Sequence, residues 1–142
     1  MTQREWEHRC GVLVVDDNPG DIYLMIEAAR DRGIEIQGCT CSTATEAIER
    51  LDKGERPRMI LFDLRMPCVS GLDLLKILKS QGEWRSIPAI AYSAVLSPAD
   101  VREAYALQAN CVVNKPQDFE QLRELIRLID EFWIRWVVPV EP

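Results

Sequence analysis

Residues 59–67 read MILFDLRMP. Four apolar residues run without a break into an aspartate, Asp63. A continuous apolar run, rather than an alternating one, is expected of a strand buried on both faces of a parallel sheet. Working outward, residues 11–15 (GVLVV), 35–41, 89–92 (AIAY) and 111–113 (CVV) read as further strands. Helical patterns lie between them. The first covers residues 21–32 and ends at Gly33. The second covers 44–53, opened by a capping box at Thr43-x-x-Glu46 and closed near Gly54. The third covers 72–80. The fourth covers 98–107, with Ser97 placed to cap it and Pro98 suited to its first turn. The fifth starts near Asp118 and runs as far as Trp136. Five βα units with right-handed crossovers predict an α/β fold: a doubly wound, five-stranded parallel sheet with an extended C-terminal helix and tail.

The chain has 142 residues, 47% hydrophobic and 28% charged, as expected of one compact domain. We divide it into an N-terminal segment (1–9), a domain (10–131) and a C-terminal extension (132–142). The net charge of −6 argues against a nucleic-acid backbone as partner. No stretch approaches the length of about 20 apolar residues that a membrane helix needs. These features, with no signal-peptide core, predict a cytoplasmic protein without a membrane partner. Five cysteines form no tight framework and fit a reducing compartment. Cys39, Cys41 and Cys111 read as small buried hydrophobes rather than metal ligands.

In such sheets, sites form outside the carboxyl ends of the strands. The first strand ends in Asp16 and Asp17, the third in Asp63 and the fourth in Ser93; the fifth is followed by Asn114, Lys115 and Pro116. Three carboxylates, one hydroxyl and one ammonium should therefore share a pocket. Two like charges ~4 Å apart repel by ~4 kcal/mol at an effective dielectric of 20. Clustered carboxylates must then bind protons or a cation, and an all-oxygen site suits Mg²⁺. With the charge neutralised, one carboxylate can act as a nucleophile toward phosphorus. Lys115 and Ser93 would stabilise the transferred group. Taken singly, each residue has a plainer role, as turn former, helix cap or solvated lysine. Their joint placement at the ends of different strands is what points to chemistry.

VLVVDDNPGD at 12–21, MILFDLRMPCVSGLDLL at 59–75, AYSA at 91–94 and NKP at 114–116 together resemble the receiver domains of two-component response regulators. The resemblance covers about residues 10–130 and implies the flavodoxin-like (βα)5 receiver fold. It implies that Asp63 is the phosphoacceptor, served by a histidine kinase. It further implies direct Mg²⁺ ligation by Asp17, Asp63 and the backbone carbonyl of Arg65, with Asp16 acting through water. Ser93 would sense the phosphoryl group and Lys115 would pair with it. The Lys115–Pro116 bond resembles one that is often cis. Residues 104–133 resemble the small single-domain regulators that partner phytochrome-type kinases. One departure stands out: Val112 occupies the place of the usual switch aromatic, with Tyr92 and Tyr105 as candidate substitutes.

No effector domain, DNA-binding or catalytic, is expected after Pro116. The protein is expected to catalyse only its own phosphorylation and dephosphorylation. A scaffold with a dead pocket, a phosphatase and a flavodoxin-like cofactor binder are the competing classes. The intact acidic pocket opposes the first, and Arg65 stands where the second usually has an aspartate. Asp16 and Asp17 would repel the phosphate of the third. The last helix carries more apolar residues than one core-facing stripe requires. Phe132, Trp133, Trp136 and Val138 are therefore expected to form a homodimer interface, with Trp133 and Trp136 on one helical face.

Overall fold

The structure, a computed structural model, describes residues 11–140. Five parallel strands form one sheet: β1 (Val12–Val15), β2 (Thr40–Cys41), β3 (Met59–Asp63), β4 (Ala89–Ser93) and β5 (Cys111–Asn114), in the order β2-β1-β3-β4-β5. The helices are α1 (Pro19–Arg30), α2 (Ala44–Asp52), α3 (Gly71–Ser80), α4 (Pro98–Ala106) and α5 (Phe119–Leu128). A π-helical extension, Ile129–Trp136, continues α5.

Strand pleating sends alternate residues to opposite faces. Leu13, Val15, Ile60 and Phe62 pack with α2 and α3 on one face. Val12, Val14, Met59 and Leu61 pack with α1 and α5 on the other. This is why β1 and β3 read as unbroken apolar runs. The central strands are buried along their whole length.

β2 is far shorter than residues 35–41. Gly38 takes a left-handed φ of 89°, and the Cys39 N–H donates to the Ile36 carbonyl at 2.8 Å. The chain thus turns just before the edge strand instead of extending through it. α1 starts earlier than expected because the Asn18 side chain accepts the N–H groups of Gly20 and Asp21. At α2, Thr43 Oγ1 accepts the Glu46 N–H, but the Glu46 carboxylate reaches Ser42 rather than Thr43. Complete capping boxes occur instead at Ser70–Asp73 and Ser97–Asp100.

Two further expectations are corrected. Cys41, Cys68 and Cys111 are free, but Cys39 is disulfide-bonded. Which thiols meet depends on segments that the fold brings together, and spacing alone does not reveal it. Burial pushes the Cys41 thiol up to about 11, so it stays protonated and behaves as a small hydrophobe. Among the described residues, no peptide bond is cis, so Lys115–Pro116 is trans. No helix among them is long and apolar enough to cross a membrane.

Gly71 opens α3 against the end of β3. A Cβ there would lie 2.1 Å from the Asp63 carbonyl oxygen and 2.6 Å from Leu64 Cα. Both obstacles are backbone, so neither can swing aside. Gly71→Ala is expected to destabilise the fold by about 3 kcal/mol, seen as a lower urea midpoint with an unchanged slope.

Candidate functional site

Asp16 follows β1 and Asp63 closes β3; the register Val15↔Phe62 sets the two abreast. With Asp17 they form an acidic group whose ligand oxygens lie within 4.8 Å of one another. Asp16 and Asp63 are buried, whereas Asp17 is exposed. Lys115, just past β5, reaches across the sheet end. Its Nζ lies 2.7 Å from Asp63 Oδ2, 2.9 Å from Asp21 Oδ2 and 3.0 Å from Asp16 Oδ2. Burial alone would lower this ammonium, but hydrogen bonds to Asp63, Asp21 and Asp16 outweigh it and hold its pKa above the usual lysine range. Lys115 therefore stays charged. A single ammonium does not neutralise four carboxylates, and the all-oxygen donor set left over suits a hard divalent cation such as Mg²⁺.

The backbone fixes the acceptor. Asp63 Oδ1 accepts the Arg65 N–H at 2.9 Å, so both oxygens are held, one by that amide and one by Lys115. The Arg65 guanidinium turns outward to Asp100, in the first turn of α4. Ser93 is buried at the end of β4, but its Oγ donates to the Val95 carbonyl at 3.2 Å rather than to the carboxylates. The pairing Ser93↔Asn114 brings the β5 end, and so Lys115, beside β4.

Residues 12–127 match the family model described as "Response regulator receiver domain". The chain belongs to the response regulator receiver family. Among curated proteins, the receiver is 32% identical over 130 residues to a probable methanogenesis regulatory protein, FilR2, of Methanothrix harundinacea, covering 88% of this chain and 84% of the relative. It is 24% identical over 132 residues to the response regulator Rcp1 of Synechocystis, covering 89% and 90%. Among solved structures, the phosphorylated cyanobacterial phytochrome response regulator RcpA superposes with a TM-score of 0.83 at 27% identity, covering 94% of this chain and 99% of that one. The Mn²⁺-bound form of Rcp1 gives 0.80 at 24% identity, covering 92% and 98%, which speaks to fold alone. The protein is thus a two-component signalling receiver, as the motifs implied.

Asp21 is a pocket member that inspection of strand ends misses. It stands on the first turn of α1, not on a strand, and only the Asn18 cap fixes where that turn points. The two candidate aromatics separate cleanly. Tyr92 is 2% exposed, and its hydroxyl donates to Asp16 Oδ2 at 2.6 Å. Tyr105 lies at the surface, and its oxygen accepts the Val112 N–H at 3.1 Å on the edge strand. Tyr92 is therefore pinned inside the receiver, and Tyr105 is the one with room to move.

The proposed interface residues do not share one face. In the π-helical extension, the Val137 N–H donates to the Phe132 carbonyl five residues back, at 2.9 Å. This wider turn aligns residues four to five apart. Ile129, Trp133 and Ile134 turn onto the core beside α1 and α5. Phe132, Trp136 and Val138 point outward, 57%, 78% and 88% exposed. The expectation that Trp133 and Trp136 lie together is corrected: Trp133 packs inward and meets Phe132 edge-on, at 5.5 Å between ring centres. Buried Asp130 anchors the extension, paired with Arg32 at 3.2 Å and Arg135 at 3.4 Å.

Proposed function

We propose that this receiver takes a phosphoryl group from a histidine kinase onto Asp63, with Mg²⁺ as cofactor, and signals in the cytoplasm through protein contacts rather than through DNA or a membrane. The observation that carries this reading is Asp63 itself, buried between Lys115 and the acidic group at the sheet end. An Asp63 oxygen forms the bond to phosphorus while the P–N bond of the phosphohistidine breaks, and the departing imidazole nitrogen keeps the electron pair. Lys115 already contacts the attacking carboxylate, so it can pair with the phosphoryl oxygens once they arrive. Ser93 must turn its hydroxyl away from the Val95 carbonyl to join them. Asp17, Asp63 and the Arg65 carbonyl would hold a Mg²⁺ ion, with Asp16 acting through water, and that ion would supply positive charge beside the same oxygens. The likeness to RcpA, a cyanobacterial phytochrome response regulator, supports a phytochrome-type kinase as the donor.

A small phosphodonor added with and without Mg²⁺ tests the chemistry. One phosphoryl group per chain, on the peptide containing Asp63 and only with Mg²⁺, is the expected result. Labelling elsewhere, or none, would end the proposal. By calorimetry, Asp17→Ala is expected to abolish Mg²⁺ binding and Asp16→Ala only to weaken it. The difference follows from the environments: Asp17 is exposed, whereas Asp16 Oδ1 accepts the Asn18 N–H and its Oδ2 is taken by Tyr92 and Lys115. Equal losses in the two variants would remove that distinction.

We further propose a homodimer through the outward residues Phe132, Trp136 and Val138. Large apolar side chains this exposed and close in sequence favour an interface, and aromatics are enriched there.

A further inference from the structure

Tyr92 is the last residue of β4 before Ser93, in register with Asp63 on β3. Its ring lies in the core between the sheet and the helices α1 and α5. Its hydroxyl, however, emerges into the acidic pocket and donates to Asp16 Oδ2 at 2.6 Å, a separation typical of a hydrogen bond to an ionised oxygen. Lys115 Nζ stands 4.9 Å from the centre of the same ring, within the range of a cation–π contact, and 3.0 Å from the same Asp16 oxygen. The other oxygen, Oδ1, accepts the Asn18 N–H at 3.0 Å. Asp16 is fully buried. Both of its oxygens are therefore engaged by the protein, while Asp17, one residue along, is exposed.

We propose that Tyr92 is a positioning residue that occupies Asp16 Oδ2, keeping Asp16 from direct contact with the divalent cation and leaving that contact to Asp17 and Asp63. The inference rests on the Mg²⁺ reading above and names what divides the work within that site. The geometry explains why two adjacent aspartates at one strand end can serve a metal differently. It also ties the metal side of the pocket to β4, because the residue that holds Asp16 is bonded directly to Ser93.

Tyr92→Phe keeps the ring, its packing and its face toward Lys115, and removes only the donor. Freed of that bond, Asp16 Oδ2 can turn to the cation. Mg²⁺ titrated into the purified full chain by calorimetry should bind Tyr92→Phe more tightly than wild type, by about tenfold, near the lower end of what a hydrogen bond to a charged group contributes. A residue that merely supported the fold would weaken Mg²⁺ binding when altered, or leave it unchanged. The same substitution in an Asp16→Asn background should produce no further shift, because the residue through which Tyr92 acts is then neutral. Unchanged or weaker binding in the single variant overturns the proposal, as does an equal gain in both backgrounds. If wild type itself binds no Mg²⁺, the metal reading fails and the inference falls with it. If wild type binds and Tyr92→Phe does not bind more tightly, the inference alone fails.

Discussion

Replacing Asp63 by Asn is expected to abolish labelling by a phosphodonor while leaving the fold in place. The amide has the shape of the carboxylate but lacks the anionic oxygen that attacks phosphorus. Its carbonyl oxygen can still accept the Arg65 N–H that now meets Asp63 Oδ1. Loss of the contact to Lys115 is tolerable, because that ammonium keeps Asp16 and Asp21 within 3.0 Å. Removing one carboxylate also relieves repulsion in a crowded pocket, so stability should hold or rise slightly. The measurement is intact-mass labelling beside a urea melt. If the Asn variant is labelled as fast as wild type on the same peptide, another residue is the acceptor. If labelling is lost together with the fold, the substitution has acted on structure and Lys115→Met becomes the better probe.

Removing the outward aromatics, Phe132→Ala with Trp136→Ala, should turn a homodimer into a monomer at micromolar concentration. Interface tryptophans and their aromatic neighbours often cost ~2 kcal/mol or more on truncation. A combined loss of ~4 kcal/mol weakens association about a thousandfold. This pair is better than cutting the chain after Glu131. A cut would also remove Trp133 and Ile134, which pack on the core, and Ile134 lies 3.7 Å from where a Cβ at Gly11 would stand. The Ala variant leaves those contacts and the Arg32–Asp130 anchor in place. Light scattering on both proteins decides the matter. A monomeric wild type would rule out the dimer and direct these residues to the kinase, and equal dimers would move the interface elsewhere.

The strands and the acidic pocket were legible for one physical reason. A parallel sheet covered on both faces demands unbroken apolar runs, and β1, β3 and β4 have them. Their ends can then be read off directly as Asp16, Asp63 and Ser93, with Lys115 beyond β5. What the sequence left open depends on contacts between distant segments or on small backbone choices. β2 shrank because Gly38 turns the chain, and no apolar pattern records a φ angle. Asp21 entered the pocket because Asn18 caps α1 and aims its first turn at Lys115, 94 residues away. Tyr92 became Asp16's partner only once β4 lay beside β3. The disulfide at Cys39 was invisible for the same reason. The C-terminal face was assigned with an α-helical spacing, whereas the chain widens into a π-helix that turns Trp133 inward and leaves Phe132 and Trp136 outside. Composition and pattern thus determined the sheet, its strand ends and the family, because burial on both faces constrains every residue of a strand. Tertiary structure alone decided which side chains meet at those ends and which face of the last helix is free, because those outcomes depend on where segments distant in sequence come to rest.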